Sequence, residues 1–140
     1  MNSTLIFWPM LLQVAIPFWV MILNALRKNK DRAAGAVDPE SAINNKAWSL
    51  PVVMTSNALE NQFQFPVVFY VLCLVLAHLD AVNLPALILS WLFVVFRWWH
   101  AYVHVTSNII PKRMASFAIS LFSLMALFVL TVVALFGSRL

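Results

Sequence analysis

The sequence predicts an all-α integral membrane protein that folds as a single four-helix bundle over residues 1–140. Of the 140 residues, 63% are hydrophobic and 10% are charged, which is far more apolar than a soluble globular domain. Four long apolar segments, each near the roughly 20 residues that a spanning helix takes, account for most of the chain. Two of them contain an ionisable residue, Glu60 and Arg97, and membrane helices rarely carry such residues away from protein, water or a partner.

The four predicted spans cover residues 5–26, 50–79, 85–105 and 114–136. Pro9 and Pro17 should bend the first span, which a bundle tolerates when neighbouring helices resupply the lost hydrogen bonds. Residues 29–47 form the one substantial loop, in which Asp38 followed by Pro39 predicts the start of a short helix. A short turn joins the second and third spans, so these two should pack antiparallel.

Small residues recur at helical spacing along the fourth span, at Ser116, Ser120 and Ser123. Because small residues let membrane helices approach closely, we interpret this line as a packing face and not as a catalytic serine. The single Cys73 lies in an apolar run and is interpreted as a small buried hydrophobic residue.

Basic residues collect on one side of the predicted bundle. They are Arg27, Lys28, Lys30, Arg32 and Lys46 around the first loop, and Lys112 and Arg113 after the third span. The opposite side has only Arg139, so the positive-inside rule puts the long loop in the cytoplasm and both termini outside. The nine lysines and arginines are scattered around the membrane helices and do not form a basic face, so no nucleic-acid partner is predicted.

Glu60 and Arg97 each belong to a polar stripe at helical spacing. The stripe of the second span is Asn57, Glu60, Asn61 and Gln64. The stripe of the third span is Arg97, His100, His104 and Asn108.

Glu60 and Arg97 should lie at a similar depth, roughly 15 Å from the cytoplasmic ends of their antiparallel helices. We therefore expect them to form an ion pair or to line one polar cleft that opens to the cytoplasm. The alternative is that they only fix the register of the helices. A cleft that is polar at its mouth and apolar beyond suits one anionic and one lipophilic substrate.

His100 and His104 are spaced i, i+4, a separation that can hold a metal. Glu60 is the sole further ligand candidate and no His-Glu-x-x-His motif occurs, so no metal site is predicted. Two glycines in the whole chain exclude most nucleotide-binding motifs.

The chain resembles the MAPEG family, the membrane-associated proteins of eicosanoid and glutathione metabolism. The residues that carry the resemblance are Asn57, Glu60 and Pro66 on the second span, Arg97, His100 and His104 toward the end of the third span, and Arg113 at the start of the fourth. The resemblance covers nearly the whole chain. The run RWWHAYVHVTSN is similar to the version in bacterial members of unassigned activity, which implies a bacterial inner-membrane protein.

The resemblance implies a homotrimer that binds glutathione as a co-substrate between neighbouring subunits, on the cytoplasmic side. It assigns Asn57 and Glu60 to the tripeptide site and Arg113 to the thiolate, and it places His100 and His104 where related proteins have tyrosines that touch glutathione. Together with the stripes, the predicted binding residues are Asn57, Glu60, Gln64 and Arg97, and the predicted catalytic residues are Arg113, His100 and His104.

Two functional hypotheses follow. In the first, the protein conjugates glutathione or another thiol to a lipophilic electrophile, with transferase-like or peroxidase-like activity. In the second, it is a non-catalytic protein that binds a lipid or another amphiphile on the same scaffold. The second hypothesis rests on a departure from the family pattern, since glutathione-using members usually carry an arginine where this chain has Val53.

Overall fold

The structure, a computed structural model, describes residues 2–137, and every regular element within them is helical. Its four segments long and apolar enough to cross a membrane are Ser3–Ala33, Leu50–His78, Leu84–Val105 and Ile110–Gly137. The predicted all-α architecture with four membrane spans is therefore confirmed. Arg139, which entered the prediction of sidedness, lies outside the described residues.

The first span is longer than predicted. A 3-10 turn, Ser3–Ile6, precedes helix α1 (Phe7–Ala33), which continues well past the predicted end at residue 26. Lysine and arginine are good helix formers, and cations near a helix C-terminus interact favourably with the helix dipole. The helix therefore continues through its basic flank and stops just before Gly35, whose φ of 66° suits a residue without a side chain.

The second span is not the continuous helix that the sequence predicted. It consists of α2 (Leu50–Glu60), a 3-10 turn (Asn61–Phe63) and α3 (Phe65–His78). Pro66 explains the break because it has no N–H to bond the carbonyl of Gln62, and its ring clashes with that carbonyl. In the first turn of α3 the same proline is well tolerated.

The third and fourth spans form a helical hairpin of α4 (Leu84–Val105) and α5 (Ile110–Gly137). Asn83 caps α4 by accepting a 2.9 Å hydrogen bond from the backbone N–H of Ala86. The start of α5 at Ile110 is earlier than the predicted residue 114, because Pro111 falls in the first turn, where a proline costs no hydrogen bond.

The serine line of α5 is a packing face. Ser116, Ser120 and Ser123 are 2%, 2% and 6% exposed, and each hydroxyl donates to a backbone carbonyl of its own helix. Because the hydroxyls are satisfied locally, the small side chains let α4 and α5 lie close together.

Arg27 of α1 links the start of α2 to the end of α4 on the loop side of the bundle. Its two Nη atoms each donate a 2.8 Å hydrogen bond, one to the carbonyl of Pro51 and one to the carbonyl of Val105. The basic part of α1 thus fixes the start of α2 relative to the end of α4.

The predicted short helix at Asp38 is a single 3-10 turn, Pro39–Ala42, which Asp38 caps by accepting from the N–H of Glu40.

Candidate functional site

The two predicted polar stripes point in different directions. On α4, Arg97, His100 and His104 are 1%, 5% and 4% exposed, so this stripe faces the interior of the bundle. On the second span, Asn57, Glu60 and Gln64 are exposed, while Asn61 is half-buried.

The expected ion pair between Glu60 and Arg97 does not form. Val52, Thr55 and Ala58 are the residues of α2 that turn into the bundle, and they occupy the side of the helix opposite to Glu60. Periodicity placed the polar residues together on one face of the helix, but packing turned that face outward.

Arg97 instead contacts the broken part of the second span. Its Nη2 donates to the backbone carbonyl of Asn61 at 2.8 Å and approaches the side-chain oxygen of Gln62 at 3.5 Å. The same Gln62 oxygen accepts from Nε2 of Gln13 at 3.3 Å. Gln62 was not among the predicted site residues because it lies outside the polar stripe, although a glutamine within an apolar span was itself a signal.

A polar cavity of about 220 Å³ lies between the break in the second span and the turn that joins α4 to α5. Its lining residues are Asn61, Gln64, His100, His104, Arg113, Met114 and Phe117. The structure therefore brings together four predicted site residues, which are Gln64, His100, His104 and Arg113. The other three, Asn57, Glu60 and Arg97, do not line this cavity.

When both rings are neutral, the hydrogen bonds of His100 and His104 select different tautomers. Nδ1 of His100 lies 3.0 Å from the carbonyl of Arg113, and since a carbonyl can only accept, Nδ1 carries the proton and Nε2 has the free lone pair. Nε2 of His104 lies 3.3 Å from the Arg113 guanidinium, which can only donate, so the proton of His104 is on Nδ1. The Nε2 lone pair of His100 is therefore free, whereas that of His104 is taken by Arg113.

Arg113 is held at the cavity by one of its nitrogens. Nη1 donates to Oδ1 of Asn108 at 2.7 Å and to Nε2 of His104 at 3.3 Å. Nη2 and Nε of Arg113 have no partner among residues 2–137. An arginine oriented in this way offers its remaining donors to an anionic group in the cavity.

A second, apolar cavity of about 350 Å³ lies on the other side of the broken segment, between α1 and the second span. Phe18, Met21, Phe63 and Val67 are among its walls, and Gln62 and Tyr70 are its polar members. The break in the second span thus separates a polar recess from a larger apolar one.

The alternative of a metal site at His100, His104 and Glu60 is not supported by the arrangement. No group of three or more His, Cys, Asp and Glu side chains placed to hold a metal ion occurs within the described part of the chain. Glu60 is exposed on the second span, whereas both histidines face inward.

Comparison with known proteins gives one match. The sequence model described as the MAPEG family matches residues 5–133 of the 140. No curated protein and no solved structure matches the chain. The matched range includes the exposed stripe of the second span and every residue that lines the polar cavity.

Proposed function

The chain belongs to the MAPEG family, and we propose on that premise that it conjugates glutathione, or a related thiol, to a lipophilic electrophile at the polar cavity. The observation that carries the proposal is the convergence of Arg113, His100 and His104 on one recess of about 220 Å³. This recess lies within helices long and apolar enough to cross a membrane. A lipophilic substrate dissolved in the bilayer would therefore be close to the reacting thiol.

Arg113 and His100 divide the chemistry of the proposed reaction. The reactive form of a thiol is its thiolate, and the unpaired donors of Arg113 would stabilise that negative charge. Nε2 of His100 would accept the thiol proton as a general base. With an aryl halide, the thiolate sulfur forms a bond to carbon and the halide leaves with its electron pair. In the peroxidase-like form, the same thiolate would attack the outer oxygen of a lipid hydroperoxide, the O–O bond would break to release the alcohol, and a second thiol would convert the resulting sulfenic acid into a disulfide and water.

Assembly into a homotrimer, which we also propose, would explain why the stripe of the second span faces outward. A charged residue at the centre of a membrane helix costs about 2.5–3.5 kcal/mol on insertion scales, so Glu60 would favour cover by a neighbouring copy. Gln64 belongs both to this stripe and to the cavity. A copy that docked on Asn57 and Glu60 would therefore approach the mouth of the cavity and bring these two residues close to a bound ligand.

The sidedness that we propose follows from the basic residues. The polar cavity lies next to Arg113 and Met114, at the end of the bundle that also carries Arg27 and the basic flank of α1. The positive-inside rule then places the cavity mouth and the long loop in the cytoplasm and both termini outside. For a bacterial member of the family, the membrane would be the inner one.

The experiment that tests the proposal is stopped-flow absorbance of the glutathione thiolate in purified protein, followed by conjugation to a nitrobenzene halide. Arg113→Ala should abolish the thiolate signal and lower the conjugation rate by about 10²–10³-fold, the typical cost of losing one electrostatic stabiliser. Lys112→Ala is the matched control, because Lys112 is the adjacent cation, is exposed and does not line the cavity. Equal activity in both variants, or none in the unmodified protein, would contradict the proposal.

The apolar cavity favours a second candidate function, the non-catalytic binding of a lipid or another amphiphile. At about 350 Å³ it is larger than the polar recess, and Val53 provides no guanidinium to hold a glutathione carboxylate. Native mass spectrometry after gentle extraction should then show a retained amphiphile, while glutathione should give no thermal shift. Turnover of a thiol substrate without any retained amphiphile would refute this reading.

A further inference from the structure

The break in the second span creates a helix end where a membrane protein can least accommodate one. The last four carbonyls of a helix have no partner within it, and hydrocarbon offers no water to replace the missing donors. Helix α2 ends at Glu60, roughly 15 Å along the span from its start at Leu50 by the rise of 1.5 Å per residue. The freed carbonyls of this segment therefore need donors from elsewhere in the protein.

Two buried side chains provide these donors. Nε2 of Gln62 donates to the carbonyl of Ala58 at 3.0 Å, and Nη2 of Arg97 donates to the carbonyl of Asn61 at 2.8 Å. Gln62 and Arg97 are 3% and 1% exposed. A cation beside the C-terminal end of a helix also complements the helix dipole.

The charge of Arg97 has no acidic partner in the described chain. Glu60, the one acidic residue of the second span, points away from it and is exposed. The groups that meet the guanidinium are instead the Asn61 carbonyl and the amide oxygen of Gln62. Nη2 of this deeply buried arginine is thus satisfied by the break and not by a carboxylate, while its buried Nε has no hydrogen-bond partner among the described residues.

We infer that Arg97 is a positioning residue, which caps the broken second span and thereby holds Asn61 and Gln64 on the wall of the polar cavity. It does not line that cavity, so it acts through the backbone of Asn61. His100, one turn further along α4, forms the wall directly. Helix α4 therefore positions one wall of the recess through Arg97 and forms the opposite wall with His100. Any role in glutathione binding rests on the proposed function, whereas the capping role does not.

The first test is amide hydrogen exchange of residues 58–67 in the full chain, reconstituted in lipid nanodiscs. Arg97→Met removes the donor and keeps an apolar chain of similar length, so exchange in this segment should accelerate roughly tenfold or more, as expected for losing a hydrogen bond to a charged group. Ser90→Ala is the matched control. Ser90 is a fully buried polar residue of the same helix, and it donates to the carbonyl of Ala86 within α4, so exchange at the break should not change.

A second measurement covers the case in which Arg97→Met does not fold. Arg97→Lys keeps the cation but offers a single ammonium in place of the guanidinium fork, and Gln62→Met removes the other cap. Both should give smaller accelerations, and both should raise the maleimide labelling rate of a Gln64→Cys probe placed in a Cys73→Ser background.

Exchange and labelling that match the Ser90→Ala control in all three variants would overturn the inference. If exchange stays unchanged while glutathione affinity falls, Arg97 contacts the ligand and does not cap the span. If the unmodified protein binds no glutathione but exchange accelerates as expected, the proposed function fails and the inference stands.

Discussion

The two polar stripes of this protein are both spaced along one face of a helix, but one faces the interior of the bundle and the other its surface. The stripe of α4 faces the interior, where Arg97, His100 and His104 are at most 5% exposed. The stripe of the second span leaves Glu60 and Gln64 on the outside. Helical spacing thus groups polar residues on one face, while the packing of the other helices decides where that face points.

The physical reason lies in what each helix packs against. Helix α4 pairs closely with α5 across the serine face, and the two supply His100, His104 and Arg113 to one recess. Helix α2 presents Val52, Thr55 and Ala58 to the bundle, and the break after Glu60 then turns Gln62 inward. The inward stripe therefore lines a recess within one chain, whereas the outward stripe, apart from Gln64 at that recess, stays on the surface.

The largest expected effect comes from the inward stripe. His100→Ala should lower the rate of thiol conjugation by about 10²–10⁴-fold, because it removes the proposed general base. His78→Ala is the matched control, since His78 is an exposed histidine at the end of α3. The two variants are compared by conjugation kinetics at saturating glutathione. Similar rates in both would show that the inward stripe does not act on the substrate.

A smaller effect is expected at the serine face of α5, the helix that packs against α4. Ser120→Leu should lower the free energy of unfolding by about 1–3 kcal/mol, because added methylenes overpack a tight helix contact. The value can be measured by unfolding in mixed detergent micelles. Val129→Leu, at a position of α5 that is 57% exposed, should leave it unchanged. Equal stability of the two variants would indicate that α4 and α5 have room between them.

The smallest effect is expected on the outward stripe. Glu60→Leu should weaken subunit association by about 0.6–2 kcal/mol, the range found for polar contacts between membrane helices, and should leave the fold of each subunit intact. Dissociation on dilution, followed by native mass spectrometry, measures the change. Val71→Leu, 53% exposed on the same span, is the control. Unchanged or tighter association of Glu60→Leu would mean that Glu60 faces lipid or water.

Much of the architecture could be predicted from residue order alone. Runs of apolar residues long enough to cross a bilayer identify four spans, and the family model matches residues 5–133. The serine line predicted close helix packing, and Ser120 is 2% exposed. The ends of the helices were harder to predict. Low hydropathy favours a loop for the basic flank of α1, but this flank is helical to Ala33.

Residue order alone was enough to predict a membrane bundle with polar groups inside it, because hydrophobic length and helical periodicity are local properties of the chain. The contact of Arg97 with the carbonyl of Asn61, and not with the carboxylate of Glu60, emerged only from the folded structure. That choice depends on how Pro66 breaks the second span and on which face of α2 the other helices cover. Both are outcomes of packing between segments distant in sequence, which no single-helix pattern contains.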